Sequence, residues 1–275
     1  MMKTMMRPQK TQLTSLYKYT AAGSTFFNNK IRALMFGYTD YDVLVVGASG
    51  GRSGYVQVTF FDSTLGQNVT TTMYGCGGGG GASKRLVGKL TDLPDSSVVE
   101  VGLLGTTGAD QVGANKTSIG GVGGSSSFNG EAVEGGQGGH TGTIQSSGAM
   151  TYYSEGGAGG SPTGASRPLG GQAISGRAPA AGTWDSGNDY GFGGGGGIGR
   201  VNTHYGIASE VQAGAAGASD GSSGFTSAGE AAQSTAGGGG GGANVSPITG
   251  GAAEYYGSGW NTAAKRNGAV VVKLS

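Results

Sequence analysis

The residues of this chain that could perform catalysis are few. Residues 47–51 (GASGG) follow an apolar segment and match the G-x-S-x-G nucleophile elbow, in which a serine attacks a carbonyl with help from a histidine and an acid. That motif requires a helix directly after the serine, whereas residues 55–61 alternate and are β-branched, which predicts another strand. The histidines, His140 and His204, lie in glycine-rich surroundings that hold a base poorly. We therefore expect that this protein is not an enzyme.

The same glycines also resemble a dinucleotide-binding loop. Such a loop needs a helix N-terminus for the pyrophosphate and an acidic residue about 20 positions later, and no helical period follows here. Cys76 is the only cysteine, and with two histidines it offers little for a metal site. We expect no cofactor and no metal, and we expect Cys76 to be a small buried residue rather than a reactive thiol.

The composition excludes several other classes of protein. Of 275 residues, 63 are glycine, and 17 basic residues nearly balance 16 acidic ones. Balanced charge gives no electrostatic footprint for nucleic acid. No apolar run reaches the roughly 18 residues that a membrane span needs, and no apolar segment follows the basic start as a secretory signal requires. These features predict synthesis in a cytoplasm.

Short strands are predicted before residue 105 and again at the end of the sequence. Residues 1–40 show no clean period and are interpreted as an N-terminal docking arm, the alternative being a frayed terminus. A β-strand domain is expected over residues 41–104, closed by a returning strand at residues 269–274. Lys84 and Arg85, beside the first glycine run, either bind an anion or form a solvated strand edge, and the second interpretation is favoured. The predicted strands lie at residues 41–49, 55–61, 68–75, 83–90 and 97–104.

Residues 105–268 are rich in glycine and carry a patchy three-residue rhythm, as in GGVGG, GGQGG and GGAGG. A polyproline-II-type helix has three residues per turn and no internal hydrogen bonds, so glycine at this spacing lets neighbouring backbones approach and bond to each other. The alternative is a flexible linker. The many aromatic residues in this region argue against a linker. The sequence therefore predicts a mainly β fold, with an N-terminal β-sandwich-like sheet, a polyglycine-II helix bundle and few or no α-helices.

Residues 41–275 resemble the glycine-rich domain of bacteriophage tail proteins. The resemblance rests on MYGCGGGGGASKRLVGKLTDLPDSSVVEVGLLGTTGA, on SSSF followed by glycine clusters, and on the closing NGAVVVKL. The chain is also similar to tail-fibre tip adhesins, some of which hold variable, aromatic-rich loops on stacked polyglycine II helices. The resemblance implies a virion tail location and a role in attachment, and it supplies no catalytic residue.

Aromatic residues between the glycine patches are the candidate receptor-binding residues, because tyrosine and tryptophan provide large contact areas at small entropic cost. Their alternative role is to cap the glycine helices or to pack between subunits. The candidate residues are Tyr152, Tyr153, Trp184, Asp185, Tyr190, Phe192, His204, Tyr205, Tyr255, Tyr256 and Trp260.

The sequence thus predicts a minor tail or fibre-tip protein that contributes to host recognition. Its expected partners are other virion tail proteins and a host receptor, either a saccharide or an outer-membrane protein, and a homo-oligomer is possible. Nucleic acid and a membrane span are not expected. The first alternative is a purely structural tail or capsid protein. Two others are less favoured: a cell-surface protein, for which no signal peptide is seen, and an ice-binding protein, which needs a flatter and more regular surface.

Overall fold

The computed structural model describes residues 14–146, 149–162, 167–173, 175–203, 206–209 and 267–275. Within these ranges the chain is mainly β, as predicted, with one α-helix and one 3-10 turn. The first seven strands and the two helical segments are β1 Ser15–Tyr19, β2 Gly23–Asn28, α1 Asn29–Phe36, β3 Asp40–Val46, β4 Val56–Asp62, β5 Gln67–Met73, β6 Ser83–Lys89, the 3-10 turn Leu90–Asp92 and β7 Ser96–Val101. The remaining strands are β8 Gln111–Val112, β9 Thr117–Ile119, β10 Ser126–Phe128, β11 Glu131–Val133, β12 His140–Ser146, β13 Ala149–Glu155, β14 Trp184–Asp185, β15 Tyr190–Gly191, β16 Val201–Thr203, β17 Gly206–Ser209 and β18 Ala269–Leu274.

Two sheets form a sandwich that corresponds to the predicted N-terminal β-structure. A six-stranded sheet has the order β1-β18-β3-β6-β15-β14, and a four-stranded sheet has the order β11-β10-β7-β2. Val43 and Val272 of the first sheet share a buried core with Phe27, Val99 and Phe128 of the second. The strand at residues 269–274 returns to β3, as the sequence predicted.

A second, smaller sandwich lies elsewhere along the chain. A five-stranded sheet has the order β17-β16-β5-β4-β8, and a three-stranded sheet has the order β13-β12-β9. Alternation in β4 turns Val56 and Val58 into the core between them, where they meet Met73 and Val201 and where Tyr152 packs against the cluster. The alternation visible in the sequence therefore has its physical cause in one buried face.

The described residues contain eight extended glycine-rich segments, six of which connect the two sandwiches. They are named here PG1 to PG8 and comprise residues 47–54, 75–82, 102–109, 120–125, 134–139, 156–161, 168–172 and 193–199. In PG1 the amides of Gly47, Gly50 and Ser53 donate to PG2, whereas those of Ala48 and Gly51 donate to PG4. A strand ladder repeats every two residues, but these bonds repeat every three and turn to a different neighbour in between. That repeat is the property of a polyglycine-II helix.

The eight helices form a lattice of two rows. One row has the order PG3-PG1-PG2-PG8 and the other has the order PG4-PG5-PG6-PG7. Every adjacent pair, within a row and between rows, is joined by at least one backbone hydrogen bond, for example Gly79 N to Gln137 O and Gly157 N to Gly77 O, each 2.9 Å long. The predicted polyglycine-II bundle is therefore present, and its core consists of backbone amides.

Glycine is needed in the lattice for space rather than for an unusual φ. A Cβ built on Gly51 would lie 1.8 Å from Thr106 O, and one built on Gly50 would lie 2.0 Å from Gln137 O. Gly37 and Gly66 show the opposite case, with φ values of +70° and +65° and nothing within 4 Å of an added Cβ. The lattice glycines thus permit carbonyl oxygens to contact Cα directly.

The structure divides the chain differently from the predicted domains. PG1, PG2 and PG3 all begin before residue 105, within the segment assigned to the β-strand domain. Beyond residue 105, β9 to β13 belong to the sandwiches, so strands and glycine helices alternate along the chain. A sequence boundary drawn from glycine density cannot show this, because most glycine helices continue directly into a strand at their end.

The predicted docking arm, residues 1–40, also differs from the structure in its described part. β1 pairs with β18 and β2 pairs with β7, so residues 15–28 belong to the first sandwich. The helix α1 follows, with Asn28 accepting a hydrogen bond from Ile31 N and with Gly37 ending it at positive φ. The partners of these short strands are distant in sequence, which is why no local period revealed them.

Gly50→Ala should strongly destabilise the protein. Its Cβ would meet the backbone carbonyl of Gln137, which hydrogen bonds hold in place, so neither side can move aside. We expect the free energy of unfolding to fall by at least about 3 kcal/mol, at the upper end of overpacking effects, as measured by denaturant unfolding. The control is Gly187→Ala, where the nearest atom lies 3.3 Å away on a side chain; an equal loss in the two variants would contradict this account.

Cys76 should be protected from thiol reagents in the native state. It is fully buried where PG2 begins, with its Sγ 3.1 Å from Ser154 Oγ. We expect labelling at least about 100-fold slower than in denaturant, because the lattice must open first. A Cys76→Ser, Ser186→Cys variant moves the thiol to the exposed position of Ser186 and should label at once. Labelling of wild type at the rate of that variant would show that the lattice opens freely.

Candidate functional site: an aromatic hairpin beside the lattice

The structure brings together four of the predicted receptor-binding residues in one hairpin. Trp184 pairs with Gly191 and Asp185 pairs with Tyr190, so β14 and β15 form a short antiparallel ribbon. β15 pairs in turn with β6, which places the ribbon at the edge of the six-stranded sheet. The tip of the ribbon, residues 186–189, is exposed.

The hairpin turn is built by the side chain of Asp185. Its Oδ1 accepts a hydrogen bond from Gly187 N, and its Oδ2 accepts one from Asn188 Nδ2, both at 2.9 Å. Asp189 has a φ of 53°, a left-handed conformation that Asp tolerates better than most residues. Asp185 is therefore a positioning residue of the turn.

Three aromatic side chains line the ribbon and are half-buried. Tyr190 and Phe192 meet edge to face, with their ring centroids 5.7 Å apart, and Trp184 lies on the adjacent strand. Phe192 N donates to Thr183 O at 3.0 Å, which closes the base of the ribbon. Because PG8 begins at residue 193, directly after Phe192, one end of the ribbon is fixed by the lattice.

The charges beneath the hairpin are paired. Arg85 donates two hydrogen bonds to the carboxylate of Asp42, at 2.8 and 2.6 Å, and these bonds raise the pKa of the Arg85 guanidinium. Lys84 lies 2.6 Å from the carboxylate of Glu131. The backbone N–H of Arg85 donates to Asp189 O at 2.8 Å, tying the hairpin tip to β6. These pairs support the strand-edge interpretation of Lys84 and Arg85 over an anion site.

The hairpin also perturbs its own titratable groups. Hydrogen bonds from the Asn188 side chain and then from the Gly187 backbone hold the pKa of Asp185 below its ordinary value. The pKa of Tyr190 is raised, first by desolvation and then by the charge of Asp185. Asp185 therefore keeps its negative charge to lower pH than an ordinary aspartate does, opposite Tyr190 in the ribbon.

The two tyrosines of β13 do not join the hairpin. Tyr152 packs against the core of the second sandwich, and Tyr153 stacks on His140 with ring centroids 6.1 Å apart and planes 4° apart. The hairpin pairs with a strand of the first sandwich, so the lattice separates the two aromatic groups. Five predicted residues lie outside the described residues: His204, Tyr205, Tyr255, Tyr256 and Trp260.

Ion pairs that the sequence reasoning missed hold connecting segments against the lattice. Arg167 binds Glu134 at 2.7 Å, and Arg177 binds Glu155 at 2.6 Å. Each of these glutamates directly precedes a glycine pair that opens GGQGG or GGAGG. A glutamate directly before a glycine patch was the sequence signal for these ion pairs. The sequence does not identify the arginine that pairs with it, and only the folded structure does.

Buried hydroxyl groups complete the hydrogen bonding where the glycine helices end. Ser53 Oγ accepts from Cys76 N at 2.8 Å and lies 2.6 Å from Thr141 Oγ1. At the opposite end, Ser126 Oγ accepts from Gly102 N at 3.0 Å. Ser126 belongs to the SSSF motif, so the role of this motif in the structure is to cap the lattice next to Phe128 of the core.

The catalytic motif considered in the sequence does not form its required geometry. Ser49 is fully buried in PG1, and the chain continues as an extended glycine helix instead of an α-helix. Across the part of the chain that the structure describes, no group of three or more His, Cys, Asp or Glu side chains could hold a metal ion. No helix among these residues is long and apolar enough to cross a membrane.

Protonation of Asp185 should open the hairpin at low pH. Because its pKa is lowered in the folded state, the stabilisation it gives is present above its unfolded pKa and is lost as the pH falls through the folded pKa. The chain has two tryptophans, so a Trp260→Phe background leaves Trp184 as the sole reporter. We expect its fluorescence to change with a midpoint below the ordinary aspartate pKa.

In the same background, Asp185→Asn should remove this transition, whereas Asp189→Asn, which alters a neighbouring charge, should keep it. A transition that survives in Asp185→Asn would assign the acid effect to another group.

Comparison with known proteins adds no relative to this geometry: no known protein-family model matches the chain, and no curated protein matches it significantly.

Proposed function

We propose that this chain is a virion component of a bacteriophage tail, a minor tail or fibre-tip protein that contributes to recognition of the host cell. Its mechanism is non-covalent binding by loops on a polyglycine-II scaffold. The receptor class is a saccharide or an outer-membrane protein, and the other partners are tail proteins of the same particle.

The observation that carries the proposal is the attachment of an aromatic hairpin to a rigid backbone lattice. Trp184 and Tyr190 are half-buried, so each offers contact area while its rotamers are already restricted. Restricting side chains before binding lowers the entropic cost of recognition. The exposed tip between them carries Ser186 and Asn188, the small polar residue types that adapt to hydrogen bonds in binding loops.

The scaffold is suited to carrying variable loops. Each glycine helix bonds to several neighbours through backbone groups, so the lattice does not depend on the identity of the side chains that leave it. Loops between helices can therefore change without loss of the core. That property favours a recognition protein, because binding residues are commonly placed on loops held by a rigid framework.

One observation favours the alternative, a purely structural tail or capsid protein. Tyr152 is packed against a hydrophobic core, and Tyr153 is stacked on His140, so both have structural partners within the chain. Under this alternative the aromatic hairpin contacts another subunit of the particle instead of the host.

Substitution of the hairpin in the assembled phage separates the two functions. We expect Trp184→Ala with Tyr190→Ala to lower the adsorption rate constant at least about tenfold, because aromatic anchors of this kind contribute about 2 kcal/mol or more each at a binding surface. Particle yield and tail morphology should stay normal. The matched control is Val87→Ala on β6, a side chain that is 62 % exposed in the same sheet.

Normal adsorption and host range together with incomplete tails would contradict the recognition function and favour the structural one.

A further inference from the structure

The helix α1 presents its apolar side chains to solvent. Five large apolar residues of β2 and α1, here called the α1 surface, are 47–75 % exposed: Phe26, Ile31, Leu34, Met35 and Phe36. A helix on a folded domain normally turns such residues inward. In α1 the buried residue is Asn29, which is 2 % exposed.

The polar residues of α1 explain this inverted arrangement. Asn29 Nδ2 donates to Pro94 O at 2.7 Å and to Ser97 Oγ at 2.8 Å, which fixes the start of the helix to β7. The Arg32 guanidinium lies 3.9 Å from the ring centroid of Tyr17 and 4.5 Å from that of Phe27. The helix is therefore held by its polar side, and its apolar side is left outward.

The helical part of the α1 surface lies at the end of the first sandwich that is far from the lattice, and Phe26 lies midway along β2. β2 starts opposite Val101, which directly precedes PG3, and ends opposite Ser96. Since α1 follows β2 directly, it lies beyond the far edge of the sandwich. A contact made there leaves the glycine lattice and the aromatic hairpin uncovered.

A groove beside α1 adds depth to this surface. It has a volume of about 230 Å³, and the Lys30–Asp95 ion pair borders it. Its apolar lining consists of Ala33, Leu34, Leu90, Leu93 and Pro94. A groove of this size accepts an apolar side chain from outside. The surface thus provides both a protruding apolar ridge and an adjacent apolar recess, the two parts that a self-complementary contact needs.

The charges around the surface permit two copies to meet. Lys30 pairs with Asp95 at 2.8 Å, and Arg32 is turned inward over the aromatic rings. Two α1 surfaces can therefore face each other without repulsion between unpaired Lys30 or Arg32 side chains of the two copies.

The exposed area is also sufficient for a stable contact. A large side chain has about 200 Å² of accessible surface when fully exposed. With the exposed fractions of the five residues, this gives roughly 600 Å² of exposed area in each copy. Complete coverage of this area in two copies would bury on the order of 1,200 Å², the lower end of the range of specific interfaces. We propose that the α1 surface is a contact between copies of this chain, with the ridge of one copy set in the groove of another. This contact does not depend on the proposed role in host recognition.

Sedimentation of the purified full-length chain tests the proposal. Wild type should be a dimer or larger assembly at about 20 μM, and Leu34→Glu with Met35→Glu should raise the dissociation constant at least about 100-fold. The matched control, Val122→Glu, changes a side chain that is 58 % exposed on the lattice and should associate as wild type does. Circular dichroism and the unfolding temperature establish that each variant is folded.

If the double variant fails to fold, Phe26→Lys on β2 tests the same surface. It should also raise the dissociation constant. A wild-type chain that stays monomeric up to about 200 μM, where contacts of this area normally associate, would overturn the proposal and assign the surface to a different protein. Association unaffected by both α1-surface variants would overturn it as well.

Discussion

Hydrogen bonding between the backbones of neighbouring glycine helices is the interaction on which the rest of this structure depends. A polyglycine-II helix satisfies none of its own amides, so each helix is stable only with neighbours at close range. The two-row lattice supplies them. This close packing restricts the lattice positions to glycine, because a methyl group at Gly50 or Gly51 would clash with a neighbouring carbonyl oxygen. Glycine content is therefore a packing requirement in this chain.

The two sandwiches provide hydrogen-bond partners at the ends of the lattice. Each glycine helix must terminate without orphaned amides, and most continue directly into a strand whose ladder takes over the hydrogen bonding. At other ends side chains accept amide protons, as Ser53 does from Cys76 N and Ser126 from Gly102 N. The hydrophobic cores and the amide lattice are thus continuous with each other. The hairpin at Trp184 is held by both, because β15 pairs with β6 and continues into PG8.

Much of this architecture could be predicted from residue patterns. Runs of β-branched residues located β3, β4 and β5, the glycine triplets indicated three-residue helices, and the closing AVVVKL was placed in the same sheet as β3. The residues around α1 were harder to interpret, because their apolar side chains face solvent and their polar side chains anchor the helix. No periodicity argument detects an inverted helix, since the pattern tells which face is apolar and not which face is covered.

The sequence by itself determined the type of core, because so many glycines at three-residue spacing can be stabilised only by backbone contacts, and it determined that Cys76 is buried beside them. Only the tertiary structure decided which helices are neighbours, since every glycine segment offers the same amides and nothing local distinguishes one partner from another. The same holds for the aromatic residues. Residue type marked Tyr152 and Trp184 alike as candidates, but the lattice places Tyr152 against a core and Trp184 in a hairpin at a sheet edge.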